Sequence, residues 1–211
     1  MGKMNTQDKK SQEMITPEMA LQILKDGNSR FLNDTGLERD YHYQVKETSK
    51  GQFPFAVILS CIDSRIPTEI IFDNGIGDIF NARIAGNIVN EDILGSMEFA
   101  CKLSGAKLIL VLGHTACGAV QGACDDAKLG NLTGLLDKIK PSVNQVETEP
   151  NTDRTSQNAK FVDDVAIKNV EITIAEIKNK SDVLNEMFKN KVIEIVGAMY
   201  NVNTGVVEFM S

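Results

Sequence analysis

No stretch of this 211-residue chain is apolar for long enough to cross a bilayer. The longest runs, 53–62 and 108–112, fall well short of the roughly 20 residues that a spanning helix needs. The N-terminal segment MGKMNTQDKKSQEM lacks an apolar core, so no signal peptide is expected. Positive charge is in deficit. The 22 Lys and Arg stand against 29 Asp and Glu, a formal net charge of −7. An acidic surface repels phosphate backbones, and neither nucleic acid nor a membrane is expected as a partner. No block of like charge forms a basic arm or an acidic tail. Gly75-Ile76-Gly77 opens like a dinucleotide loop, but the third glycine is missing and Phe80 stands nearby. No G-x-x-x-x-G-K-[ST] occurs, so nucleotide cofactors are not supported. There is no internal repeat and no low-complexity tract. Cysteine is sparse, at four: Cys61, Cys101, Cys117 and Cys124. The even count permits disulfides, yet a chain of this length does not need them, and free thiols or metal ligands fit a cytoplasmic protein better.

What is present is enough hydrophobic residue, 42%, to bury a core in one domain. Thr16-Pro17-Glu18 reads as a helix start, with Met19, Ile23, Leu24, Phe31 and Leu32 on the apolar face of a helix ending near Asn33. The polar stretch 34–51 reads as an irregular connection. FAVILS at 55–60 and KLILVL at 107–112 are unbroken apolar runs, as in parallel strands buried on both faces. Further strands are expected at 78–83, 192–196 and 206–209, the last antiparallel after the Asn203-Thr204-Gly205 turn. Helices are expected at 67–73, 90–103, 118–129, 132–139, 161–178 and 182–189, with a loop over 141–160. Strands and helices alternate, so the fold class is α/β with a mostly parallel sheet flanked by helices.

Two segments follow buried strands: Cys61-Ile62-Asp63-Ser64-Arg65 and His114-Thr115-Ala116-Cys117-Gly118. Ligands of open α/β sheets bind beyond the carboxyl ends of strands. A lone Cys or His at a strand end is ordinarily a small core residue. A polar C-x-D-S-R run has no packing motive there, and two thiolates with an imidazole form a zinc set that leaves a fourth position open. Arg65 can hold Asp63 by two parallel hydrogen bonds and keep it ionised. A phosphate loop built on Cys61 and Arg65 would need five intervening residues; there are three. Cys101 and Cys124 read as packing residues, and His42 as a surface residue.

These residues resemble the β-class carbonic anhydrases. The likeness runs through Gly77-Asp78-Ile79-Phe80-x-x-Arg83, Ala85-Gly86-Asn87, Ser96-x-Glu98-Phe99-Ala100 and Gly197-Ala198-x-Tyr200, and covers roughly residues 17–210. The resemblance implies a parallel four-stranded sheet with an antiparallel fifth edge strand and an N-terminal helical arm that embraces a partner. On that reading, residues 1–50 are the arm and connection, and residues 51–211 the α/β zinc-binding catalytic domain. It implies a homodimer or a dimer of dimers, and reversible hydration of carbon dioxide to bicarbonate and a proton by hydroxide on zinc. Carried over by position, Cys61, His114 and Cys117 match the ligands of one Zn2+ per chain. Asp63 and Arg65 match the catalytic dyad, and Asp63 also stands where some members close the zinc in a resting state. Gln52, Phe80 and Phe99 match pocket residues, and Ala85 completes an apolar slot for carbon dioxide. Some members carry a Trp three residues before the first Cys, within an inhibitory bicarbonate site. This chain has Ile58 there and no Trp at all, so that site is expected to be absent.

Overall fold

The computed structural model describes residues 6–210, so the first five residues of the expected arm and Ser211 lie outside the described residues. Five strands form one sheet: β1 (Ala56–Ser60), β2 (Ile79–Arg83), β3 (Leu108–His114), β4 (Glu194–Tyr200) and β5 (Val207–Phe209). Their order is β2-β1-β3-β4-β5. The first four run parallel, and β5 pairs antiparallel with β4, as expected. Every residue of β1 and β3 is buried, which is why both read as unbroken apolar runs. The chain leaves β1 toward β2 on one side and reaches β3 on the other. The carboxyl ends of β1 and β3 therefore border the crevice where the connections part.

Ten α-helices surround the sheet among the described residues. In the arm, α1 (Lys9–Met14) is closed by a reciprocal Asp8–Ser11 cap, and Thr16 caps α2 (Pro17–Leu32). The segment expected to be irregular contains a helix, α3 (Tyr41–Thr48), whose N–H of Tyr43 is accepted by Asp40. Its polar composition hides it: only Gln44 is buried. The arm docks on its own chain. Ala20 and Leu24 of α2 are fully buried, and Asn28 donates to the carbonyls of Ile71 and Gly205 while accepting from the Val207 N–H.

Between β1 and β3 lie α4 (Thr68–Ile71), a 3-10 turn (Ala85–Asn87) and α5 (Glu91–Glu98). The last runs directly into a wide π-helical turn over Phe99–Leu103. After β3 come α6 (Gly118–Cys124), α7 (Gly130–Leu136) and α8 (Lys140–Gln145). The helix expected to run to 129 thus stops at Cys124. The expected loop over 141–160 begins instead as α8, for which Pro141 in the first turn suits the start. The longest helix, α9 (Ala159–Lys180), packs against β3 and β4, and α10 (Asp182–Lys189) follows it. Glycine lets α9 approach closely. A Cβ on Gly113 or Gly197 would lie 2.7 Å from a Val170 methyl group. Each fully buried aliphatic side chain on that face, such as Val165 or Ile177, stabilises the fold by about 1.5–3 kcal/mol. No helix among the described residues is long and apolar enough to cross a membrane.

Candidate metal centre

The two segments singled out by their residues meet at the carboxyl edge of the sheet. Cys61 is the first residue beyond β1, and His114 is the last residue of β3 rather than the first beyond it. Cys117 returns to the same place through a tight turn. Ala116 adopts a left-handed backbone, φ 53°, and its N–H donates to Asp163 of α9 at 3.0 Å. Thr115 is tied to β4 by its N–H to the Tyr200 carbonyl, and its hydroxyl accepts from the Val202 N–H. Cys117 then caps α6. The donor atoms of Cys61, His114 and Cys117 all lie within 4.8 Å of one another, and the residues are 4%, 0% and 1% exposed.

The chemistry of these donors fits a soft divalent metal. The Thr115 carbonyl can only accept, so at 3.0 Å it fixes the His114 proton on Nδ1. That leaves the Nε2 lone pair aimed inward, buried and without any protein partner. A buried polar atom without a partner is costly, and a metal would satisfy it. The two thiols are hydrogen-bonded to each other. The hydrogen bond from Cys117, with that of the Gly86 N–H, pushes Cys61 down, while that same bond and burial push Cys117 up. A metal that took both as thiolates would release their protons.

The Cys61–Arg65 loop is fixed from three sides. Asp63 accepts two side-chain hydrogen bonds from Arg65, at 2.9 and 2.8 Å, and a third from the Arg65 N–H at 2.9 Å. The Arg65 guanidinium holds the Asp63 carboxyl down at about 2. Arg83, at the end of β2, donates to the Cys61 carbonyl at 2.9 Å and to the Asp63 carbonyl at 2.6 Å. The Gly86 N–H donates to Cys61 Sγ at 3.4 Å. Sequence reasoning gave Arg83 and Asp163 no role. Arg83 could have been suspected from its place at a strand end, but nothing local marks Asp163, 47 residues from Ala116.

The residues expected to line a pocket divide. Ala85 adjoins Gly86 and so sits beside the donors. Phe80 and Phe99 meet edge to face, 6.2 Å between centroids, in an open groove of about 630 Å³ with Val57 and Ala82. None of the three donor residues lines that groove. Phe80 pairs with Val57, three residues before the Ser60–Arg83 pair, or about 10 Å back along the strands. Gln52 is exposed and precedes β1 altogether.

A family profile described as carbonic anhydrase matches residues 56–207. A protein of Mycobacterium tuberculosis named carbonic anhydrase 2 is 34% identical over 197 residues, covering 90% of each chain. Among solved structures, the β-carbonic anhydrase CafA of Aspergillus fumigatus superposes with a TM-score of 0.70 at 22% identity, over 92% of this chain and 90% of that one. One of two tetrameric β-carbonic anhydrases of Sordaria macrospora gives 0.68 at 23%, over 81% and 90%. At those identities the structural likeness speaks for the fold, while the family match and the mycobacterial relative speak for descent. With its donors gathered where the fold opens and both comparisons agreeing, the chain belongs to the β-class carbonic anhydrases, a family of enzymes.

Proposed function

We propose that Cys61, His114 and Cys117 hold one Zn2+ per chain, and that this centre hydrates carbon dioxide reversibly to bicarbonate and a proton. The observation that carries this is the buried Nε2 of His114, without a hydrogen-bond partner, in a group whose donor atoms all lie within 4.8 Å of one another. When bound, zinc supplies the Lewis acidity that brings the ionisation of water toward neutral pH, less strongly with two thiolates than with three imidazoles.

The protein's own groups do the rest. Asp63, kept ionised by Arg65, is an acceptor only. Any attacking oxygen beside it must present its hydrogen to the carboxylate and so turn a lone pair toward carbon. Because both Asp63 oxygens are engaged by Arg65 and lie outside the three-donor group, a fourth position stays available for exchangeable oxygen. Ala85 offers an apolar wall. Gln52 is exposed ahead of β1, and Phe80 and Phe99 line a groove that none of the three donors enters, which supports a homodimer, or a dimer of dimers, in which a partner supplies them across a two-fold axis. Four free cysteines, two of them donors, support a reducing, cytoplasmic setting.

Stopped-flow hydration of carbon dioxide on protein of measured zinc content tests this reading. Turnover should rise in proportion to bound zinc. Full turnover in metal-free protein would refute it.

A further inference from the structure

Behind the metal donors lies a polar relay in an otherwise apolar interface. Asn169 and Thr173 sit four residues apart on α9 and so share one face of it. The Asn169 side-chain amide donates to the Gly86 carbonyl at 2.7 Å, and the Thr173 hydroxyl donates to the Asn87 carbonyl at 3.3 Å. Ser142 of α8 donates to Asn169 Oδ1 at 3.1 Å. All three side chains are buried. Aliphatic residues would pack at such positions without the cost of desolvating polar groups.

The turn they clamp cannot hold itself. Gly86 and Asn87 are both left-handed, φ 70° and 42°. Two successive carbonyls thereby turn into the core, where each needs a donor. On its other side the turn is closed by Ile139, whose methyl would lie 2.5 Å from a Cβ on Gly86. The turn reaches the metal donors through the Gly86 N–H, 3.4 Å from Cys61 Sγ. A hydrogen bond onto a ligating sulfur withdraws electron density from it and fixes its direction.

We propose that Asn169 is a positioning residue for the metal centre: oriented by Ser142, it anchors the Gly86 carbonyl and so holds the turn where the Gly86 N–H, on the preceding peptide unit, stays on Cys61. This inference rests on the zinc reading above. It adds that the electronic character of the Cys61 ligand is set from α9, by a residue that touches neither metal nor substrate.

The test compares cobalt-loaded wild type, Asn169→Ala and Ser142→Ala, with zinc affinity measured by chelator competition and folding by circular dichroism and thermal melts. Asn169→Ala should move the thiolate-to-cobalt absorption band to longer wavelength and weaken zinc binding about tenfold. Ser142→Ala should do the same to a smaller degree. A folded Asn169→Ala protein with an unchanged band and unchanged zinc affinity would overturn the inference, since a lower melting temperature alone would show only packing. If Asn169→Ala does not fold, Ser142→Ala decides by the same two readouts. A wild-type protein with no thiolate-to-cobalt band would fail differently: the metal reading itself would fall, and this inference with it.

Discussion

The two ends of strand β1 are built on opposite plans. At the carboxyl end, Cys61 enters a buried cluster whose neighbours are all tied down: Asp63 by Arg65, the loop carbonyls by Arg83, the Cys117 turn by Asp163. At the amino end, Gln52 is exposed, and Phe99 leaves 49% of its surface uncovered beside Phe80. Two aspartates mark the contrast. Asp63, paired with an arginine, is held down at about 2, whereas burial pushes up Asp78, just before β2. The Cys61–His114–Cys117 group is thus assembled within one chain, while the groove of Phe80 and Phe99 is lined by none of the three. Hydrogen bonds are concentrated around the three donors, and open surface where a second subunit is proposed to fit.

Breaking the carboxyl end should have the largest effect. Cys117→Ser is expected to abolish hydration and drop the zinc content far below one per chain, as read by atomic absorption. Asp63→Ala should retain zinc yet lower kcat about 100-fold; turnover near wild type would separate the Asp63–Arg65 pair from the chemistry. The amino end can be tested across subunits. Gln52→Ala alone should cut kcat/KM about tenfold with zinc unchanged. Co-expressing Gln52→Ala with Cys117→Ser should then restore about a quarter of wild-type sites, because random pairing makes half the dimers hybrid and each hybrid keeps one complete site. No restoration would mean that Gln52 serves its own chain. The smallest effect concerns Asp78. Its raised folded value means that the folded state holds this proton more tightly than the unfolded chain. That contribution is present in acid and is lost as pH rises through the folded value. Asp78→Asn, with no charge to bury, should therefore melt about 2–4 °C above wild type near pH 8 and match it near pH 4.

Much of this was legible in the residues. β1 and β3 announced themselves because strands buried on both faces cannot alternate, and the polar runs following them could only be loops at the sheet's edge. That Cys61, His114 and Cys117 would come together followed from residue type and place. What stayed hidden was of two kinds. Helices α3 and α8 bury little, so hydrophobic periodicity did not reveal them, although Asp40 and Pro141 were available as start signals. The supports of the centre were hidden for another reason. Asp163 and Asn169 lie on a helix read for its apolar face, and their partners, Ala116 and Gly86, are 47 and 83 residues away in sequence. No local pattern encodes a contact that only the closed fold creates.

The π-helical turn from Phe99 to Leu103 has a consequence for lineage rather than for chemistry. Such a winding accommodates one residue more than an ordinary turn would. Loss of a single residue there would tighten the segment into an ordinary α-helical turn with its flanking residues kept in place. In the uninterrupted turns of α5 the same loss would swing whatever follows by about 100°. The Phe99–Leu103 segment should therefore tolerate a one-residue deletion better than the helix that precedes it.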